Sequence, residues 1–166
     1  MNITFHAVGS FATVAVLSLE PSENRRSVSA LKKYVIGFVS GVLIHGILDL
    51  LPHNYPLPSK LDVMFALILL LAILFASQKQ NLILIVICFI GAIFPDVIDL
   101  SPGIINKRLG FQISLLPFKI FPWHWKEFSG SVYDGSRNFE SIVYHGLFLL
   151  ICFSLIYVYR KRFLNL

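Results

Sequence analysis

The stretch HGILDLLPH, residues 45–53, closes an apolar run and yet carries two histidines and an aspartate. His45 and Asp49 stand four positions apart, so a helix would place them as neighbours on one face. Pro52 lacks a backbone donor and tends to end a helix, so we expect His53 to lie in a turn and to point back over that face. The stretch therefore predicts a helix whose end carries a cluster of ionisable groups.

The composition of the chain is that of a membrane protein. Of its 166 residues, 56% are hydrophobic and 14% are charged, and the mean hydropathy is +0.74. A soluble domain is roughly 45 to 50% apolar and about 25% charged. The formal net charge of +5 does not indicate nucleic acid, because the basic residues lie beside apolar runs, where they act as topology signals and contact lipid headgroups. We expect one all-α integral membrane domain over residues 1–166, with no nucleic-acid partner and an undefined oligomeric state.

Apolar segments predict a bundle of about five transmembrane helices, at residues 3–19, 34–51, 63–77, 82–100 and 142–159. Their lengths approach the roughly 17 to 25 residues that a helix needs to cross the hydrocarbon core. The last two segments are joined by residues 101–141, which begin with the turn-forming Ser101-Pro102-Gly103 and then mix aromatics with lysines. That mixture is typical of the membrane interface and predicts an interfacial lid loop.

The charges also predict an orientation. Basic residues cluster at one set of segment ends, at Arg25, Arg26, Lys32, Lys33, Lys79 and Arg160 to Arg162. The positive-inside rule places these ends in the cytoplasm, and it therefore places the long loop outside. We expect a bacterial plasma (inner) membrane with the cluster of ionisable groups on its extracytoplasmic side.

Ionisable side chains converge on that outer side. The convergent residues are His6, His45, His53, His124, His145, Asp49, Asp96 and Asp99. Such groups inside a membrane segment are costly, and by default they mark a functional site. Because Asp96 and Asp99 follow Pro95, we expect them in the first turn of a helix, where carboxylates meet the positive end of the helix dipole.

Histidine nitrogens with aspartate oxygens, and no thiolate, form a ligand set for Zn²⁺ in a catalytic site, and Mn²⁺ or Fe²⁺ would also accept it. The candidates suffice for one or two ions. Asp49 and Asp99 are the candidate catalytic carboxylates, and which carboxylate binds and which acts as a base stays open. The predicted ligands are His6, His45, His53, Asp96, Asp99 and His145, with His124 as a further candidate and Lys107, Arg108 and Arg137 as candidate phosphate contacts.

The order of these motifs resembles that of a known family. An early Phe5-His6, then HGILDLLPH, GAIFPDVID and a late VYHGL are similar to the predicted membrane-bound metal-dependent hydrolases of the YdjM-like group, near the zinc-dependent phospholipase C and P1 nuclease superfamily. The resemblance extends over nearly the whole chain. It implies an all-helical fold, metal ligands from several helices and phosphoester hydrolysis, and it points at His6, Asp96, Asp99 and His145.

These observations predict a hydrolase that cleaves a phosphoester of a lipid or lipid-linked substrate at the outer membrane face. One alternative is a transporter or channel for a metal ion or a proton, since His and Asp within helices also form ion paths. The inner halves of the segments are almost wholly apolar, which favours a one-sided site over a path. The other alternative is a non-catalytic assembly protein whose polar cluster only joins helices.

Overall fold

The computed structural model describes residues 2–18, 30–132 and 136–165, and over these residues the protein is all-helical, as predicted. Two isolated bridges, and no strand, occur in the described chain. Short 3₁₀ turns span Lys79–Asn81 and Pro122–His124. The helices are α1 (Ile3–Leu17), α2 (Ala30–Leu50), α3 (Ser59–Ala76), α4 (Leu82–Asp99), α5 (Ser101–Leu109) and α6 (Asn138–Phe163).

Four helical segments are long and apolar enough to cross a membrane: α2, α3, α4 together with its preceding 3₁₀ turn, and α6. The first predicted span gives a shorter helix of 15 residues, and Leu19 lies outside the described residues. At 1.5 Å per residue α1 is about 22 Å long, less than the roughly 30 Å of a bilayer core. By length and composition the described chain thus contains four candidate spans and one shorter apolar helix.

The shorter helix α1 lies at the centre of the fold and packs against α2, α3, α4 and α6. A helix that is apolar all round is expected to be buried, and α1 meets this description, with small residues such as Ala7, Ala12 and Ala15 against its neighbours. Its amino terminus is capped from α3, where the buried Asp62 carboxylate accepts hydrogen bonds from the Ile3 and Thr4 backbone N–H groups at 2.8 and 2.9 Å. This cap fixes the depth of α1 in the bundle.

The outer faces of the surrounding helices expose large apolar side chains. Leu43 on α2, Phe75 on α3 and Leu147 on α6 are 57%, 85% and 52% exposed. Apolar surface of this extent is not tolerated in water and marks contact with a partner or with lipid. The fold is therefore compatible with an integral membrane protein.

Helices α2 and α4 touch through their backbones. A Cβ atom added at Gly41 would lie 2.4 Å from the carbonyl oxygen of Cys88, and one at Gly91 would lie 2.3 Å from that of Phe38. Small residues permit such close approach between membrane helices. This close approach brings the carboxyl ends of α2 and α4 side by side.

Two predicted boundaries are wrong. No helix begins at Pro95, because α4 continues through this proline to Asp99, so that the aspartates lie in a last turn. Proline removes the N–H that would reach the Gly91 carbonyl, and nearby helices can satisfy backbone groups at such a position. The adjacent Ala92 carbonyl accepts from His45 at 2.6 Å. Ser101-Pro102-Gly103 likewise forms the first turn of α5, a position that suits proline.

Candidate metal centre

Four side chains from three segments meet at one end of the fold. His45 and Asp49 come from α2, Asp96 from α4 and His124 from the 3₁₀ turn in the long loop. One nitrogen or oxygen of each lies within 4.8 Å of those of the other three. We call these four residues, which form a candidate metal site, the metal centre.

The spacing of these atoms matches a metal-binding site. The Nε2 atom of His45 is 3.2 Å from Asp49 Oδ2, 3.5 Å from Asp96 Oδ1 and 3.3 Å from His124 Nε2. The Nε2 atom of His124 is 3.4 Å from Asp49 Oδ2 and 3.2 Å from Asp96 Oδ1. Zinc–ligand bonds of roughly 2.0 to 2.1 Å imply about 3.3 Å between the ligand atoms of a tetrahedron. The five distances all fall near this value.

The orientations of the two imidazole rings leave two ring nitrogens and two carboxylate oxygens, all acceptors, facing one another. The Nδ1 atom of His45 meets the Ala92 carbonyl at 2.6 Å, and that of His124 meets Asp99 Oδ2 at 2.9 Å. Both partners can only accept, so each ring places its proton on Nδ1 and presents an Nε2 lone pair when neutral. Metal-binding histidines are oriented in this same way. Two lone pairs and two carboxylate oxygens at such distances are stabilised when a proton or a metal ion lies between them.

Asp99 stands behind His124 and not within the metal centre. Besides the His124 ring, its carboxylate accepts the backbone N–H groups of Ile120 and Phe121 at 2.8 and 2.9 Å, and its side chain is fully buried. These three contacts give Asp99 a positioning role, in contrast to the ligand and catalytic roles predicted for it. It fixes both the 3₁₀ turn and the tautomer of His124.

His124 lies in the loop, outside the spans, and its pKa is shifted. Burial lowers it, but hydrogen bonds to Asp49, Asp96 and Asp99 outweigh burial and raise the pKa of His124 to about 9. Without a cation the ring therefore carries a proton among the three carboxylates. The same carboxylates would stabilise a metal ion in its place.

The loop that carries His124 is clamped to the end of α2. The Trp123 ring lies on Gly46, where an added Cβ would be 2.7 Å from it. The Gly130 N–H donates to the Asp49 carbonyl at 2.8 Å, and the His53 N–H donates to the Gly130 carbonyl at 2.9 Å. The long loop thus covers the site, and its docking explains how a residue remote in sequence joins the centre.

His6, on α1, lies directly beside the metal centre. Its ring stacks on His45 with centroids 4.1 Å apart, and its Nε2 is 3.4 Å from Asp49 Oδ1, the carboxylate oxygen not used by the centre. The ring is fully buried, and neither nitrogen forms a hydrogen bond within the described residues. His6 therefore supports the ring of His45 and adjoins the second oxygen of Asp49.

His53 and His145 are not members of the four-residue group. The His53 Nδ1–H donates to the Leu51 carbonyl at 2.7 Å, its Nε2 is 3.2 Å from the Tyr55 hydroxyl, and burial lowers the pKa of this loop histidine to about 4. The His145 Nδ1–H donates to the Ser141 carbonyl at 2.5 Å, while its buried Nε2 has no partner in the described part of the chain. Both histidines face this end of the fold from outside the centre.

No contact among the described residues joins the predicted phosphate contacts to the centre. Lys107 and Arg108 occupy the exposed last turn of α5, and Arg137 forms an ion pair with Glu140 at 2.5 Å. The lysines nearest to His124 are instead Lys119, which donates to the His124 carbonyl at 2.9 Å, and its loop neighbour Lys126. The sequence does not distinguish these two lysines as functional residues, because lysines are common in interfacial loops.

We expect Asp99→Ala to weaken metal binding by about 10- to 100-fold, the usual range when the partner of a metal-binding histidine is removed. The reason is that His124 would lose both its tautomer and its anchored turn. Competition with a chelator of known affinity measures the change. An unaltered affinity would mean that Asp99 does not position His124.

Comparison with known proteins adds no relative to this description. No family model, curated protein or solved structure matches the chain. Membership of the YdjM-like group therefore remains a prediction from the motifs. The functional argument depends on the geometry of the centre.

Proposed function

We propose that this protein is an integral membrane, metal-dependent hydrolase of phosphoesters. The observation that carries the proposal is the set of four acceptor atoms on His45, Asp49, Asp96 and His124, whose mutual distances suit one divalent ion. Buried carboxylates and lone pairs facing each other are destabilising unless a proton or a metal ion lies between them. Zn²⁺, Mn²⁺ or Fe²⁺ fits this mixture of nitrogen and oxygen ligands.

We further propose that α1 and the four candidate spans α2, α3, α4 and α6 are embedded in a bacterial plasma membrane. The metal centre would lie on its extracytoplasmic side. The support is the distribution of charge along the helices. Lys32 and Lys33 begin α2 and Arg160 to Arg162 end α6, whereas the centre lies at the opposite ends of both helices. By the positive-inside rule the basic ends face the cytoplasm.

The chain's own residues have separable tasks in this proposal. His45, Asp49 and His124, at most 10% exposed at their side chains, would hold the ion, while Asp96, at 21%, is the most exposed of the four. A divalent ion supplies Lewis-acid polarisation of a phosphoryl oxygen and lowers the pKa of a coordinated water toward about 7. Four protein ligands complete a tetrahedral zinc site. Asp96, the most exposed of the four side chains, would therefore be the residue that accepts a proton from water.

Phosphoester hydrolysis is favoured over other hydrolyses by the charges around the centre. Two carboxylates neutralise a divalent ion, so positive charge for an anionic substrate has to come from elsewhere. Lys119 and Lys126 in the adjoining loop supply it. Electrostatic stabilisation of this kind is the main device by which phosphoryl transfer is catalysed.

Metal analysis of the purified wild-type protein, with phosphoester assays, tests the proposal. We expect about one equivalent of a divalent ion and hydrolysis of a lipid phosphoester, both lost with EDTA and restored with Zn²⁺ or Mn²⁺. Metal-free protein that gains no activity with either ion would overturn it. Metal-dependent uptake into proteoliposomes without hydrolysis would favour a transporter, and folded protein without any ion would favour an assembly role.

A further inference from the structure

A cavity of about 820 Å³ opens beside the metal centre, and His124 is part of its wall. The other lining residues are Phe118, Lys119, Trp125, Lys126, Ser129 and Ser131. His124 also belongs to the metal centre, so the cavity and the site of the proposed reaction share one residue. Its chemistry should reflect the substrate.

The wall of the cavity is cationic. Within the described residues no acidic side chain lines it, whereas two ammonium groups do. Lys119 is held in place because its Nζ donates to the His124 carbonyl at 2.9 Å and its own carbonyl accepts from Trp125 Nε1 at 2.8 Å. An ammonium group has three donors, so Lys119 keeps two for a ligand. Lys126 is exposed on the same wall.

Hydroxyl groups complete the polar wall. The Ser131 Oγ is 2.8 Å from the Tyr55 hydroxyl, 3.0 Å from Ser129 Oγ and 3.3 Å from His53 Nε2. Since the His53 Nδ1–H is committed to the Leu51 carbonyl, its Nε2 accepts a hydrogen bond. When the Tyr55 hydroxyl donates to His53, the Ser131 hydroxyl donates to Tyr55, so the two lysines are the groups left to bind an anionic ligand.

The rim of the cavity is apolar. Phe118 and Trp125 are 68% and 41% exposed, and the segment leading to them exposes further large apolar side chains. An exposed apolar segment with interleaved lysines is the pattern of a chain that lies in the membrane interface. These additional residues are Phe111, Ile113, Leu115, Leu116 and Ile120.

From this combination we propose that the cavity binds the terminal phosphate of an anionic lipid, with Lys119 and Lys126 holding the phosphate oxygens and Phe118 and Trp125 contacting the acyl chains. Two cationic groups match the two negative charges of a phosphate monoester. A zwitterionic phosphodiester would leave one of them unmatched. The inference rests on the proposed function, for which it names the substrate class.

Binding of a non-hydrolysable ligand tests the inference apart from catalysis. The probe is the phosphonate analogue of dioctanoyl phosphatidic acid, titrated into metal-loaded protein in detergent by calorimetry. We expect Lys126→Gln to weaken binding about tenfold or more, as for loss of a charge-assisted hydrogen bond. Lys60→Gln, an exposed lysine on α3 away from the cavity, should change binding less than twofold.

Two other ligands, a zwitterionic lipid and inorganic phosphate, distinguish the alternative occupants of the cavity. Dioctanoyl phosphatidylcholine that binds as tightly as the phosphonate would overturn selection for a terminal phosphate, and inorganic phosphate that binds as tightly would overturn the lipid. Unchanged binding by Lys126→Gln protein that still hydrolyses phosphoesters would refute this inference alone. A wild-type protein that binds these ligands as expected but hydrolyses no phosphoester would refute the proposed hydrolase activity. It would still support a phosphate-binding site in the cavity.

Discussion

His124→Ala protein is expected to lose its metal ion and with it all metal-dependent hydrolysis, while still inserting into the membrane. The substitution removes the Nε2 that lies 3.2 to 3.4 Å from Asp96, His45 and Asp49. Loss of a residue that only orients a ligand costs 10- to 100-fold in affinity, so loss of the ligand itself should exceed about 100-fold. Metal content after dialysis against a weak chelator measures the effect.

His53→Ala is the matched control, because His53 is an equally buried histidine of the same region that does not belong to the metal centre. We expect this variant to retain a full equivalent of the ion. Size-exclusion profiles of both variants in detergent would report their folding. Stoichiometric metal in His124→Ala, or its loss only in His53→Ala, would place the centre elsewhere.

The second large effect is expected at a position without ionisable groups. Gly41→Ala places a methyl group 2.4 Å from the Cys88 carbonyl oxygen and 2.7 Å from the Ala92 nitrogen, which are backbone atoms of α4. Overpacking typically costs about 1 to 3 kcal/mol. Because α2 and α4 must separate, we also expect metal affinity to fall about tenfold or more, as His45 and Asp49 move from Asp96.

The two consequences of Gly41→Ala are read by thermal unfolding in detergent and by chelator competition. Gly146→Ala is the control, since Gly146 lies in helix α6 with open space around its Cβ position. Alanine there should leave metal binding unchanged and favour the helix by up to about 1 kcal/mol. Equal behaviour of the two variants would show that contact between α2 and α4 does not maintain the centre.

Much of the fold follows from local chemistry that is visible in the sequence. The pairing of His45 with Asp49 depends only on the 3.6-residue helical period, and their 3.2 Å contact confirms it. The burial of α1 is harder to predict from the sequence, because an apolar segment can face lipid or protein equally well. Its small residues, such as Ala7 and Ala15, become informative only when the surrounding helices are known.

The residues that form the centre could be predicted only in part from the sequence. His124 was only a further candidate, since its membership depends on Trp123 packing against Gly46 and on the Asp99 carboxylate, contacts between distant segments. The helix start predicted at Pro95 is wrong for a related reason. The proline is accommodated within α4, beside the contact from His45 to Ala92. Local propensities do not encode such long-range contacts.

An ion at the metal centre would also act as a cross-link. His45 and His124 are 79 positions apart, and one ion bound by both would close the intervening chain into a ring. Closing a long ring removes conformational freedom from the unfolded chain, as a disulfide does, and a ligand that binds only the folded state adds stability by mass action. Metal supply would then govern how long the protein survives in the membrane as well as its activity.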